Sequence, residues 1–186
     1  MKQAISAGFV VWFTGLPASG KTTLANVIKE LLAEQGVRVV VLDSDDLRSV
    51  LTPEPAYSEE EREWFYNVIA YLAGFLAKEG INVLIAATAH RRRYRERARE
   101  RVGRYAEVYV QCSLEACKER DPKGIYALAE SGEAESVPGV GADYERPLQP
   151  EATVDTTNSS PQEAARMVVA QLQAAKIITE RSGEEA

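Results

Sequence analysis

Histidine occurs once in the 186 residues, at His90, and cysteine only twice, at Cys112 and Cys117. With a single histidine, no Cys/His metal cluster can be assembled. Cys112 is expected to close a strand and Cys117 to lie in the following helix, so both read as buried, reduced thiols. No stretch approaches the roughly 18 apolar residues that a membrane span needs. The first eight residues lack the basic start and apolar run of a secretory signal, so a soluble cytoplasmic protein is expected. Positive charge is not in excess either: 22 Lys and Arg against 28 Asp and Glu leave a net charge of −6. That removes any general electrostatic case for a nucleic-acid partner, though not for a local pocket that takes a small anion.

What is present suits one globular domain over residues 1–186, long enough to bury a real core. Phe9-Val10-Val11-Trp12-Phe13-Thr14 is a continuous apolar run, as in a strand buried on both faces of a parallel sheet. A helix follows from Lys21 to about Gln35, striped by Leu24, Val27, Ile28, Leu31 and Leu32 and ended by Gly36. Val37 to Asp43 reads as a second buried strand, and Ser58-Glu59-Glu60-Glu61 as the capped start of a long helix. Asn82–Ala87, Ala106–Cys112 and Thr153–Asp155 supply further strands. Helices are expected over Arg91–Val102, from Ser113 to about Arg120, and from Ser160 onward with a stripe of Ala164, Met167, Val168 and Leu172. Strands alternating with helices predict an α/β, three-layer fold with a mostly parallel five-stranded sheet. The glycine- and proline-rich segment 121–150 reads as a lid, and residues 179–186 as a polar tail.

The most specific local pattern is Gly15-Leu16-Pro17-Ala18-Ser19-Gly20-Lys21-Thr22. It has the form of a P-loop, in which backbone N–H groups and a helix N-terminus cradle phosphates. The lysine reaches the terminal phosphates and the hydroxyl can bind Mg²⁺. A buried strand before it and an amphipathic helix after it are the context such a loop requires. Asp43, Asp45 and Asp46 follow the second strand at the end of the sheet where ligands bind. Asp43 and Asp45, two apart, share one side of an extended segment. Phosphoryl transfer to a hydroxyl uses one carboxylate as proton acceptor and another at the metal. Arg48 and Arg62 flank the long helix and could hold an anionic acceptor.

Together with Phe13-Thr14-Gly15-Leu16, three further stretches make the chain resemble the adenylylsulfate kinases. They are Leu42-Asp43-Ser44-Asp45-Asp46-Leu47-Arg48, Glu119-Arg120-Asp121-Pro122-Lys123-Gly124-Ile125-Tyr126, and Asp143-Tyr144-Glu145-Arg146-Pro147. The resemblance runs from about residue 9 to 175. It implies a P-loop kinase fold and transfer of phosphate from ATP, with Mg²⁺, to the 3′-hydroxyl of adenosine 5′-phosphosulfate (APS). By the same resemblance, Gly15, Ala18, Ser19, Gly20, Lys21, Thr22 and Thr23 would hold the ATP phosphates. Arg120 and Thr156 would border the adenine. Asp45 would accept the proton; Asp43 would support it or, with Thr22, the metal; Lys21, Asp43 and Asp45 would be the catalytic residues. Arg48, Arg62, Phe65, Lys123 and Ile125 would line the acceptor side, with Tyr57 stacking on its base. A homodimer is a further implication.

Departures fall on the acceptor side. The family's Asp-Gly-Asp-Asn has Ser44 and Asp46, a family asparagine is Phe65, and the lid's Lys-Gly-Phe-Thr-Gly-Ile-Asp reads Glu135-Ser136-Val137-Pro138-Gly139-Val140-Gly141. Losing the lid's aromatic leaves Tyr57 one-sided, at a cost of about 1–3 kcal/mol per base. Glu135 would also oppose an anionic substrate. A serine phosphorylated in some family members aligns with Ala89, so that regulation is not expected. An adenylylsulfate kinase and a related kinase of another small hydroxylated anion both fit these residues; a non-transferring NTP switch and a non-catalytic domain fit less well. The arginine-rich stretch from Arg91 to Arg104 reads as a solvated surface helix, or as one whose Arg91 and Arg92 reach the cleft.

Overall fold

The computed structural model describes residues 7–134 and 136–179; Glu135 and the tail beyond residue 179 lie outside the described residues. Five strands, β1 (Val10–Thr14), β2 (Val39–Asp43), β3 (Asn82–Ala86), β4 (Tyr105–Gln111) and β5 (Ala152–Asp155), form one sheet in the order β2-β3-β1-β4-β5. Every pairing is parallel, rather than most of them. The central β1 is buried at each position because it is covered on both faces. Alternation along the strands divides the core in two. Val11, Phe13, Leu84, Val108 and Val110 point to the side covered by α1 (Lys21–Glu34) and α7 (Pro161–Ala174). Val10, Trp12, Val83 and Ile85 point to the side covered by α3 (Glu59–Lys78) and α4 (Arg92–Arg101).

Strand β2 is an edge strand, not the fully buried strand its valines suggest: Val40 is exposed and only Asp43 is buried. The segment after it is not extended. Asp43 is the N-cap of α2 (Ser44–Leu51), accepting a hydrogen bond from Asp45 N at 2.8 Å. Short polar sequences such as Ser-Asp-Asp favour caps and first turns, where their side chains satisfy free N–H groups. The expected lid also contains a helix, α6 (Ile125–Glu130), following α5 (Leu114–Arg120). Asp121 starts it by accepting from the N–H groups of Ile125, Tyr126 and Ala127. Met167 is exposed, and Val169 takes its place in the α7 stripe.

The arginine helix is not uniformly solvated. Arg95 is fully buried and pairs with Glu107 of β4, while Arg93 and Arg97 cross to Glu59 and Glu63 of α3. Both cysteines are free thiols, as expected, with Cys117 buried and Cys112 half-buried. Burial and the neighbouring Cys112 push the Cys117 thiol up to about 12, which keeps it protonated and inert.

Candidate active site

The carboxyl ends of β1, β2 and β3 open into a cleft of about 1260 Å³ between the phosphate loop, α2, the start of α3 and the lid. Its floor is the loop from Gly15 to Gly20. Gly15 is required for a reason the sequence did not show. A Cβ there would sit 2.3 Å from the Val110 carbonyl oxygen, so this glycine lets the chain pass close to the end of β4. Gly20, at φ 91°, caps α1 in the left-handed region where a side chain is strained. Ala18 holds φ 59° without that freedom, a strain of the kind found at ligand-binding loops. Tyr126, to which sequence reasoning gave no role, donates from its hydroxyl to the Pro17 carbonyl at 3.0 Å. With Val137 and Cys117 it forms a third apolar cluster that packs the lid against Leu16 and Ala18.

Lys21 begins α1 and curls back over the loop, donating from Nζ to the carbonyls of Leu16 (2.8 Å) and Gly15 (3.1 Å). Burial lowers its pKa to about 8, against the pull of the Asp45 and Asp43 carboxylates. Phosphates would favour the charged ammonium, so binding must raise that value. The affinity for ATP is therefore expected to be level up to about pH 8. Above it, affinity should fall by up to about tenfold per unit, because each bound lysine must first take up a proton. Calorimetric titration between pH 7 and 9.5 checks this; a flat profile contradicts it.

Thr22 Oγ1 donates to Asp43 Oδ2 at 2.6 Å, and Asp43 Oδ1 accepts from Asp45 N. One carboxylate thus ties the phosphate loop to the start of α2. Thr22 and Asp43 offer hard oxygens of the kind Mg²⁺ prefers. That ion commonly takes only one or two protein oxygens and completes its shell with phosphates and water. No group of three or more His, Cys, Asp or Glu able to hold a metal unaided occurs among the described residues. The oxygen pair therefore fits an ion that shares its coordination with a nucleotide. Asp45 itself faces the cleft and is ion-paired with Lys123 of the lid.

On the far side lie Arg48, Tyr57, Arg62 and Ile125. Tyr57 sits at φ 53°, a strained conformation fixed by Arg62, whose Nε donates to its carbonyl at 2.9 Å. Arg62 is buried. Its Nη2 donates to the carbonyl (2.9 Å) and hydroxyl (3.1 Å) of Ser136, so it joins α3 to the lid. Its Nη1 lies 3.4 Å from His90 Nδ1, which must accept, since a guanidinium only donates. Burial, then Arg62 and Arg91, lower the His90 pKa to about 4 from 6.5. Its folded pKa lies below its unfolded one. The stability it contributes is therefore complete above pH 6.5 and is lost as pH falls towards 4. Between pH 7 and pH 5 the loss is on the order of 2 kcal/mol. Urea unfolding at pH 7 and pH 5 should show this loss in the wild type and little of it in His90→Asn.

Arg120 donates from Nη2 to the carbonyl of Thr156 at 2.6 Å, and Thr156 Oγ1 donates to Ser19 O at 2.8 Å. The two meet beside the phosphate loop, and both line the cleft. Thr23, Ala18 and Gly20 also line the cleft. Gly15, Ser19, Asp43 and Phe65 are not among the lining residues: Asp43 meets the cleft through Thr22, and Phe65 is fully buried beneath Arg48. Arg91 and Arg92 do not reach the cleft either. They line a separate surface hollow, where Arg91 and the Arg92 backbone both meet Glu145. Sequence reasoning missed Thr88 and Ser136 on the lining. It also missed Tyr144, whose hydroxyl meets Thr14 Oγ1 at 2.9 Å. Ser136 and Tyr144 lay in quoted stretches, without a role given to either; Thr88 did not.

With a phosphate cradle on one side of the cleft and an arginine-lined pocket on the other, what the fold builds is a P-loop kinase of the small-molecule class. A sequence profile of the family "Adenylylsulphate kinase" matches residues 7–155. The probable adenylyl-sulfate kinase of Pyrococcus abyssi is 40% identical over 162 residues, covering 87% of this chain and 93% of that one. The adenylyl-sulfate kinase of Burkholderia ambifaria is 39% identical over 166 residues, 88% and 92% of the two chains. Among solved structures, the Mycobacterium tuberculosis APS kinase CysC in complex with AMPPNP and APS has a TM-score of 0.83 at 33% identity, covering 90% of this chain and 98% of that one. The chain belongs to the adenylylsulfate kinase family. Shikimate kinase from Acinetobacter baumannii, at 15% identity and a TM-score of 0.64, shares the fold alone.

Proposed function

We propose that this protein transfers the γ-phosphate of ATP to the 3′-hydroxyl of adenosine 5′-phosphosulfate, with Mg²⁺. The observation that carries this is the Thr22–Asp43–Asp45 chain, which joins the donor loop to a carboxylate open to the acceptor side. Lys21 would neutralise the terminal phosphates, and Thr22 with Asp43 would hold Mg²⁺, which supplies charge stabilisation to the transferring group. Asp45 would accept the hydroxyl proton as the new O–P bond forms and the bond from the γ-phosphorus to the ADP oxygen breaks. Arg48 and Arg62 would hold the acceptor's anionic groups, with Lys123 and Ile125 closing over it from the lid. Arg120 and Thr156 would border the adenine of ATP. One sheet with both substrate sides on it fits a single domain.

The experiment is turnover with ATP, Mg²⁺ and a panel of acceptors: APS, nucleosides, sugars and hydroxy acids. ADP release with APS above an acceptor-free control is expected. Turnover with another acceptor alone would sink the assignment of substrate while keeping the kinase.

The homodimer belongs to the same proposal. On the outer face of α3, Trp64, Tyr71 and Phe75 are exposed and Val68 half-buried, at a spacing that forms one apolar stripe. An antiparallel copy crossing between residues 69 and 70 would set Trp64 against Phe75 and Val68 against Tyr71, in both directions, as a twofold axis requires. Sedimentation equilibrium should give twice the chain mass for the wild type and one chain for Tyr71→Glu. No helix among the described residues is long and apolar enough to cross a membrane. Two free thiols fit the reducing compartment expected, the cytoplasm.

A further inference from the structure

Arg48 is held in a way that neither the phosphate loop nor the lid explains. Its Cζ lies 3.9 Å from the centroid of the Phe65 ring and 4.9 Å from that of Tyr57. Its Nη1 donates to Glu61 Oε1 at 2.7 Å and to Thr52 Oγ1 at 3.3 Å. Nε and Nη2 make no hydrogen bond to protein among the described residues, while the side chain as a whole borders the cleft. Nε–H and one Nη–H form the side-on fork with which arginine grips an oxyanion through two parallel bonds. Phe65 itself is wholly buried and meets two residues that line the cleft, Arg48 over its face and Tyr66 at its edge. A guanidinium stripped of water over an aromatic face is among the stronger cation–π contacts.

We propose that Phe65 is a positioning residue for the acceptor: its ring holds the face of the Arg48 guanidinium, leaving the Nε/Nη2 fork free for an anionic group of the acceptor. This presupposes the acceptor role of Arg48 given above. The ring fixes the plane of the guanidinium, Glu61 fixes its rotation within that plane, and Tyr57 borders it from the cleft side. An arginine so restrained loses little freedom when it binds, so its grip is stronger than that of a mobile side chain.

The test is Phe65→Leu, which keeps the site apolar and close to its original volume but removes the π-face. The expected result is a rise of about fivefold in the KM for APS. The KM for ATP and kcat should stay within twofold. In an Arg48→Ala background the same change should do almost nothing. The ¹⁵Nε–H signal of Arg48, shifted upfield by the ring in the wild type, should move towards its random-coil position. Successively fluorinated phenylalanines at position 65, which weaken the π-face without changing shape, should raise the APS KM in order. They also serve if the leucine variant unfolds. An unchanged APS KM with a displaced Arg48 signal would overturn the positioning role, and an unmoved Arg48 signal would overturn the stack itself. If the wild type fails to turn over APS, the proposed function is what fails; the stack is then decided by the Arg48 signal, which needs no substrate.

Discussion

Replacing Asp45 with asparagine is expected to lower kcat about 10³-fold while leaving ATP affinity within about twofold, because a general base typically contributes 10²–10⁴ in rate. Asparagine keeps the size and the place of the side chain but cannot take up the hydroxyl proton. The geometry separates the two effects. Asp43, not Asp45, accepts from Thr22, so the donor loop stays intact in the variant. The backbone N–H of residue 45 would still cap onto Asp43, so α2 keeps its start. What is lost is the ion pair with Lys123, whose partners are both more than half exposed and which therefore contributes little to stability. Steady-state kinetics beside an ATP titration separates the two quantities. Activity within tenfold of the wild type would mean that another group takes the proton.

The largest effect on stability is expected at a residue far from the chemistry. Glu107→Ala should destabilise the protein by about 3 kcal/mol, since removing one partner of a buried ion pair strands the other charge. Arg95 is 1% exposed. Besides Glu107, it reaches the carbonyl of Ala89, in the loop after β3, and that of Glu145 at 2.7 Å. Those two bonds keep the charge partly solvated by protein, which places the estimate at the lower end of the usual range. The pair Arg95→Met with Glu107→Leu should recover most of the loss, as apolar replacements of whole buried pairs often do. Urea unfolding of the three variants decides it; a cost below about 1 kcal/mol for Glu107→Ala would show that the pair is already hydrated. By contrast, the pairs of Arg93 and Arg97 with Glu59 and Glu63 are partly exposed, and their loss should hardly register.

Much of the fold was legible because its strands are continuous apolar runs and its helices announce their ends. Ser58, Ser113 and Ser160 cap α3, α5 and α7 as their sequences suggest. The misses share a cause. Helices α2 and α6 are too short for a periodicity to mark them, and each is started by an aspartate whose carboxylate satisfies the first N–H groups. Strand β2 carries the same valines as a buried strand, and only the strand order puts it at an edge. The arginine helix shows the limit of charge counting. Arg95 is indistinguishable in sequence from Arg93 or Arg97, yet it alone turns inward, because Glu107 lies beneath it on β4.

The donor side of the cleft was legible for a similar reason. A phosphate loop is local, and its residues keep their neighbours in the chain. Acceptor-side residues come from α2, α3 and the lid, and their relations are set only by packing. Phe65 was expected to line the cleft and instead supports Arg48 from the core. Val137, which replaces an aromatic in the family resemblance, is a member of the apolar cluster that seats the lid on the phosphate loop. Its smaller side chain still borders the cleft.

The most direct test of the whole account follows the phosphate itself. The protein is incubated with Mg²⁺, ATP labelled at the γ-position and adenosine 5′-phosphosulfate, and the labelled product is identified by position. The account predicts label on the 3′-oxygen of the acceptor, one for each ADP formed. Label recovered only as inorganic phosphate, with the acceptor unchanged, would contradict it.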